Sequence, residues 1–521
     1  MRQALKTKTP TRSRISSVQT YPSPVKGLNA RDSLAAMKPD MAIVLDNWFP
    51  RTTYCEIRGG WASHATDMDG SGKTLAVYNG LDGTNKMFCS TASEVYDVSN
   101  VGAVGASVAS RTNGKHQWVM FGDGTNNYLV MCNGVDKPLY YDGTTWLAVD
   151  GITSPALTGV TTTTLVAPMV FKGRLMFIQA NTLSFWYLAA GAAGGALTEF
   201  DLSGVAKKGG YLMAASSWTI DAGDGPDDRM VFVTSEGEAI IYAGTNPSDA
   251  AAWALVGVYE IGKPLGRRCL VKYGGDLVVL TQNGEFPLSA AIQSASIDYK
   301  LAITNIIENA FNDAARSYGS NFGWETLVFP AQSAMIVNVP ISEDGTHQQY
   351  VMNTITKAWC RFTDWNAETF AVFNNELYYA SGNAVRKAWT GRVDGVDSIV
   401  AYGKTAFSYF GSMGASKRFV MFRPVLAVNG TLTFLTDIDV DFNDTLINGT
   451  ATYSVTTGAQ WDVGNWDEVY WASGLQVVKE WTSPDEYMGY CASGKIKIST
   501  NSLMVQWISC DYIYETGGPL G

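Results

Sequence analysis

Few residues of this chain have the types and spacing that chemistry requires. It has three histidines, His64, His116 and His347. None lies in a nucleophile, metal or general-base pattern. His116 and His347 stand beside turn-forming residues, so they are expected on a solvated surface. No Gly-x-Ser-x-Gly elbow occurs, although a Ser–His–Asp group need not be contiguous in sequence. Gly70-Ser71-Gly72-Lys73-Thr74 ends like a phosphate-binding loop. Asp67 occupies the position that requires glycine, and the segment runs into a strand pattern where a phosphate site needs a helix N-terminus. It reads as a turn.

Two acidic groups are more suggestive. Asp437, Asp439 and Asp441, with Asp444 nearby, resemble the start of a calcium loop, but Phe442 and Asn448 stand where that loop wants Gly and Glu. On a strand the three side chains share one face at a spacing of about 6.8 Å. Neighbours then repel by roughly 0.6 kcal/mol in water and several-fold more if partly buried. They are expected to face solvent, with Lys495 and Lys497 on an adjacent strand, or to form an acidic stripe facing a channel. The second group, Asp221, Asp224, Asp227 and Asp228, sits in a Gly/Pro-bearing loop. A propeller glycosidase would need two carboxylates on opposite sides of one sugar, and sequence spacing places no such pair. No catalytic, cofactor-binding or metal-ligating residue is assigned, and an enzyme is not expected.

The seven cysteines are odd in number, scattered and free of any Cys-x-x-Cys, which reads as reduced thiols in a protein made in a cytoplasm. No secretory signal or membrane-spanning run is seen, so stable membrane insertion is not expected. Charge is unevenly spread. Residues 1–31 hold Arg2, Lys6, Lys8, Arg12, Arg14, Lys26 and Arg31 and no acid, so a net charge of −10 becomes −17 for the remainder. Such a body is poorly suited to gripping nucleic acid, since phosphate contacts need Lys and Arg, but it can surround DNA without holding it.

The elements that would position these residues are strands. Apolar residues make up 46% of the chain and charged residues 17%, and 52 Gly accompany 25 Tyr, 21 Phe and 16 Trp. That mixture predicts packed cores, many tight turns and an all-β fold. Asp82-Gly83-Thr84-Asn85 recurs as Asp123-Gly124-Thr125-Asn126, and Tyr96-Asp97 recurs as Tyr141-Asp142, in the same order. A period of roughly 40–50 residues with about four strands each is that of a β-propeller blade. The aromatic-turn-Leu pattern of Phe171–Phe177, Tyr273–Val279 and Phe373–Tyr379 recurs at twice that interval. We expect an extended basic arm over residues 1–45 and a propeller of about six blades over 46–400. The propeller carries an inserted amphipathic helix near 301–316, marked by Ile303, Ile306, Ile307, Ala310, Phe311 and Ala314. Longer alternating strands over 401–521 predict a β-sandwich or jelly-roll domain.

Several short motifs share a resemblance. Pro24-Val-Lys-Gly27-Leu28-Asn29, Leu45-Asp-Asn47-Trp-Phe-Pro50 and Arg58-Gly59-Gly60 resemble the opening of tail proteins of short-tailed phages. Phe171-Lys-Gly-Arg174-Leu175 is similar to their strand entry, and Asn353-Thr-Ile-Thr-Lys-Ala-Trp359 to their Asn-x-x-Thr-x-x-Trp step. Tyr514-Glu-Thr-Gly-Gly-Pro-Leu520-Gly521 is similar to their ending. The resemblance is to the tail nozzle protein, or tail tubular protein B, of podovirus-type bacteriophages. It implies a structural virion protein with β-propellers, forming a ring, typically a hexamer, below the adaptor that joins portal to tail, and conducting double-stranded DNA during ejection. It carries no catalytic residues. The implied partners are further copies of the chain, the adaptor, and tail fibres or a needle or plug, with assembly in the host cytoplasm. Arg2, Lys6, Lys8, Arg12 and Arg14 are the candidate docking arm, and Asp437, Asp439 and Asp441 the candidate channel-facing stripe. The alternatives are a fibre-anchoring or host-surface-binding virion protein and a carbohydrate-active propeller enzyme.

Overall fold

Strands of four to seven aromatic and β-branched residues, joined by turns of two or three, have two apolar faces and must bury both. Seven small sheets stacked around an axis do this in residues 58–398. The structure, a computed structural model, describes residues 16–219, 228–294, 299–447, 450–453, 475–478, 480–482 and 487–517. These form two units, residues 58–398 and residues 16–57 with 399–517.

Seven groups of mainly antiparallel strands follow one another in the first unit, among the described residues, the sixth being four strands of a larger sheet. Their innermost strands are Thr74–Asn79, Gln117–Gly122, Leu165–Phe171, Leu212–Trp218, Leu270–Tyr273, Glu325–Phe329 and Thr369–Phe373. Successive residues of one strand point to opposite neighbours, as a period of two requires. In the fourth blade, Met230 and Phe232 pack with Phe171 and Phe185 of the third, while Val231 and Val233 pack with Leu277 and Val279 of the fifth. In the first blade, Ala76 and Tyr78 meet Leu129 and Tyr141 of the second. Leu75 and Val77 meet Phe373 and Tyr378 of the seventh, so the ring returns to its start. The seventh blade is completed by Trp61–Thr66 from the beginning of the unit, paired with Ala384–Ala388. Burying each such large side chain is worth about 1.5–3 kcal/mol. Closure therefore recruits apolar area that neither chain end could bury alone.

The fold is an all-β propeller, as expected, with seven blades where about six were expected. The regular period breaks at the fifth blade. That blade has three strands, Leu270–Tyr273, Asp276–Thr281 and Gly284–Pro287, followed by helices in place of a fourth. The expected helix is found as a 3-10 turn, Asn305–Ile307, running into the α-helix Glu308–Tyr318, which buries Ile307, Phe311, Ala314 and Ala315. The repeated aromatic-turn-Leu pattern marks the inner hairpins of blades three, five and seven. Lys172 with Gly173, and Asn374 with Asn375, have positive φ at both turn positions, the conformation whose twist matches two-residue hairpins.

In the second unit two antiparallel sheets lie face to face. One pairs Ala42–Asp46, Ile399–Thr405, Ala492–Thr500, Leu432–Val440 and Thr450–Tyr453. The other is built on Lys417–Val428 and Val505–Thr516. Gly403 and Gly494 make the close approach possible. A Cβ on the first would lie 2.6 Å from the Trp507 ring, and on the second 2.5 Å from the Phe422 ring. The expected boundaries shift accordingly. Ser16–Pro22, assigned to the arm, is a strand in seven-residue register with Val505–Thr516. Residues 46–57, assigned to the propeller, belong with this unit. A sequence reading divides the chain where composition changes, whereas strand pairing joins segments that lie far apart in it.

Candidate functional site

The residues at or just before several inner strands form a polar collar at one end of the propeller axis. Arg268 is its centre. Its Nη1 donates to Glu325 Oε2 at 3.1 Å and to Thr369 Oγ1 at 2.8 Å. Its Nη2 donates to the Lys73 carbonyl at 3.1 Å, Thr74 Oγ1 at 2.8 Å and the His116 carbonyl at 3.2 Å. One guanidinium, entering the fifth blade, therefore ties the first, second, sixth and seventh, using the planar fork that lysine lacks. Phe322 covers it, with its ring centroid 5.1 Å away. Burial pushes the Glu325 carboxyl up, against the opposing pull of Arg268 and the Phe370 N–H, and the net shift is upward.

Beside this tie, Lys73 pairs with Asp344 and lies 3.4 Å from Glu368 Oε2. Burial raises the Glu368 carboxyl in spite of Lys73. Burial alone would raise Asp344, but Lys73 and Ser71 outweigh it and hold its carboxyl below the usual range. The segment that resembled a phosphate loop thus leads into the strand Thr74–Asn79, as the turn reading held. All three histidines are buried: His64 is 6% exposed, His116 2% and His347 1%. This corrects the expectation of solvated histidines. Burial pushes His116 down to about 4, with the Gly114 carbonyl 3.2 Å from Nδ1. Adjacency to a turn fixes where the chain reverses, not which neighbouring blade covers the side chain.

Past the collar, a cavity of about 280 Å³ lies among the inner strands. Each of these strands pairs along its length with the second strand of its blade; on the other side Glu325 bridges to Arg268, and its carboxylate takes the Phe370 N–H. Backbone N–H and C=O groups on the axial side are therefore left for other partners.

The Asp437, Asp439 and Asp441 stripe is not an exposed surface. The strand ends at Val440, and Asp437 and Asp439 are 4% and 1% exposed. Asp439 Oδ2 lies 2.7 Å from Lys404 Nζ, and its Oδ1 lies 2.7 Å from Lys495 Nζ. Burial alone would raise this carboxyl, but Lys404, Lys495 and Thr445 outweigh it and hold it below its usual range. Asp437 stands opposite Lys495 in the ladder, so the expected neighbouring lysine is present. Asp441 lies past the strand at φ 49° and is exposed. Its Oδ1 accepts the Tyr490 N–H at 2.7 Å and the Cys491 N–H at 3.2 Å. The like charges are separated because two lysines from Ile399–Thr405 and Ala492–Thr500 flank the middle aspartate.

A second buried pair, Arg58 with Asp394, is bidentate at 2.9 and 2.7 Å. Arg2, Lys6, Lys8, Arg12 and Arg14 lie outside the described residues, as do Asp221, Asp224 and Asp227. Asp228 accepts from Thr219 Oγ1 at 2.7 Å and pairs with Lys172. All seven cysteines are free and buried. No metal-holding group of three or more His, Cys, Asp or Glu occurs among the described residues. None of their helices is long and apolar enough to cross a membrane. Sequence reasoning missed Arg268, Glu325 and Lys73. The signal was a charged residue at one recurring place, immediately before or at the start of an inner strand.

No protein-family model and no curated protein matches the chain. Solved structures do. The extracellular domain of a putative hybrid two-component system from B. thetaiotaomicron is 10% identical with a TM-score of 0.41, over 74% of this chain and 46% of that one. The chain therefore spans less than half the length of that protein. YCF48 bound to D1 peptide is 11% identical with a TM-score of 0.33, over 67% of this chain and 98% of that one. An arabinoxylan arabinofuranohydrolase of glycoside hydrolase family 43 from Bacillus subtilis is 10% identical with a TM-score of 0.25, over 94% and 99%. No enzyme family is identified, and no activity is taken from these likenesses.

Proposed function

We propose that the chain is a structural subunit of a short-tailed bacteriophage tail, assembling as a ring-shaped nozzle below the adaptor and conducting DNA during ejection. The observation that carries this reading is the use made of buried charge. Arg268 with Glu325, Arg58 with Asp394, Lys73 with Glu368, and Lys404 and Lys495 with Asp439 each join strands distant in sequence. Buried pairs of this kind do little for net stability but strongly disfavour alternative arrangements in which one charge loses its partner. That is a property of a rigid building block. The charge balance supports the same reading. An acidic body lets a duplex slide, and a basic arm is suited to an acidic neighbour.

In this reading the DNA does not pass along the propeller axis. The axis holds Arg268 and a cavity of about 280 Å³, whereas the major groove of a duplex is alone about 12 Å wide. The conduit is the hole enclosed by several copies. Imaging of the purified full-length chain, alone and with its adaptor, tests this. Rings with an open centre are expected, and uniformly monomeric particles in both conditions would refute it. Removing residues 1–15 is expected to leave the strand Ser16–Pro22 in place and to weaken adaptor attachment; undiminished attachment would exclude the arm from docking.

A further inference from the structure

The axial cavity has a composition that structural packing alone does not require. Arg267 lines it. Its Nη1 donates to the Leu212 and Met213 carbonyls at 3.1 and 2.9 Å, and Tyr211 lies 5.7 Å beneath its guanidinium carbon. Unlike Arg268, it has no carboxylate partner among the described residues. With Glu325 as the one carboxylate on the wall against two guanidiniums, the cavity carries a net positive charge. Trp118, 36% exposed, is among the residues that line the same space. The Gln117 carboxamide has no hydrogen-bond partner among the described residues, and the Ser216 hydroxyl also borders the cavity. Around these side chains run the edges of the inner strands, where the Leu212, Met213 and His116 carbonyls are taken by the two arginines and the remaining groups are left for other partners.

We propose that this cavity binds one acidic sugar ring, either free or as the terminal residue of a surface polysaccharide. Each part of such a ligand has a counterpart. The apolar C–H face of a pyranose stacks on an indole. Its hydroxyls, which both donate and accept, match the Gln117 amide, the Ser216 hydroxyl and the strand-edge N–H and C=O groups. Its carboxylate matches the uncompensated Arg267, whose free N–H groups favour an anion. Pockets for larger ligands run from about 300 to 1,000 Å³, so a volume of about 280 Å³ suits a single ring. The inference stands independently of the tail assignment.

Ligand-observed saturation-transfer NMR and calorimetry on the full chain test it, with galacturonate, galactose and a short oligogalacturonate as probes. Galacturonate is expected to bind about tenfold more tightly than galactose. Trp118→Ala is expected to abolish binding of both. Arg267→Met is expected to bring the acid and the neutral sugar to equal affinity. Should Arg267→Met fail to fold, the half-exposed Trp118→Ala variant still decides the matter. Trp118-dependent binding of the oligomer at least as tight as that of the free acid identifies a polysaccharide terminus as the ligand; binding of the free acid but not of the oligomer identifies the free ring. Absence of galacturonate and oligogalacturonate binding to the wild type, or binding unaffected by Trp118→Ala, would overturn the proposal.

Discussion

Replacing Glu285 by Gln is expected to stabilise the protein, and to do so in a pH-dependent way. Glu285 lies on the last strand of the three-stranded fifth blade, Gly284–Pro287, and is 0% exposed. Neither carboxyl oxygen has a hydrogen-bond partner among the described residues. Burial pushes the carboxyl up from 4.5 to about 7. Because the folded value is raised, there is no penalty below pH 4.5, where both folded and unfolded chains are protonated. Between 4.5 and about 7 the unfolded chain ionises first, and the native state loses stability as pH rises. Above about 7 the penalty is complete. Raising the carboxyl from 4.5 to about 7 corresponds to a penalty of roughly 3 kcal/mol at about 1.4 kcal/mol per tenfold change. Gln has the same shape and no charge to desolvate, but its amide adds a donor that costs about 1 kcal/mol or more if it finds no acceptor. The net gain at pH 8 is therefore about 2 kcal/mol. Urea unfolding followed by tryptophan fluorescence at pH 5 and pH 8 measures it. The wild type should lose stability between the two pH values by more than the variant does. An unchanged pH dependence in Glu285→Gln, or equal destabilisation at both pH values, would refute the reasoning by showing that the carboxyl is solvated or hydrogen-bonded.

Other outcomes follow from the same structure. Lys495→Met leaves Asp439 with one of its two flanking lysines in a site with no exposure, and is expected to cost about 3 kcal/mol or more in denaturant titration. Asp439 is depressed in the folded state, so its contribution is complete above the ordinary carboxylate range and is lost as pH falls through the folded value. Wild type should therefore lose more stability than Asp439→Asn on acidification below about pH 4. Arg268→Met severs five hydrogen bonds that reach four other blades; limited proteolysis within residues 58–398 is expected to quicken several-fold. The seven thiols are buried, with Cys89 and Cys269 pushed up to about 12 by burial. A thiol-specific chromogenic reagent should therefore react with none of them in the native protein, and with all seven on unfolding.

Local chemistry was enough to read the blades from the chain. Asp-Gly and Asn-Asn are turn signals because Gly and Asn tolerate positive φ, as Gly83, Gly124, Asn374 and Asn375 adopt, so these turns were legible. Their recurrence with aromatic residues at fixed offsets disclosed a propeller, and helical spacing around Ile307 and Phe311 disclosed the amphipathic helix. These features depend on neighbours within a few residues. The blade count, the boundary between units, the histidine environments and the fate of the aspartates do not. Trp61–Thr66 reaches the seventh blade, and Ser16–Pro22 pairs with Val505–Thr516, only because the folded chain brings its distant parts together. Asp439 looked like part of a solvated stripe because alternation assigns a side chain to a face but says nothing about what covers that face. Two lysines, one from each of two other strands, make burial of that charge tolerable. Arg268, likewise, reads in sequence as one of two adjacent arginines, and its role exists only where four other blades converge on it.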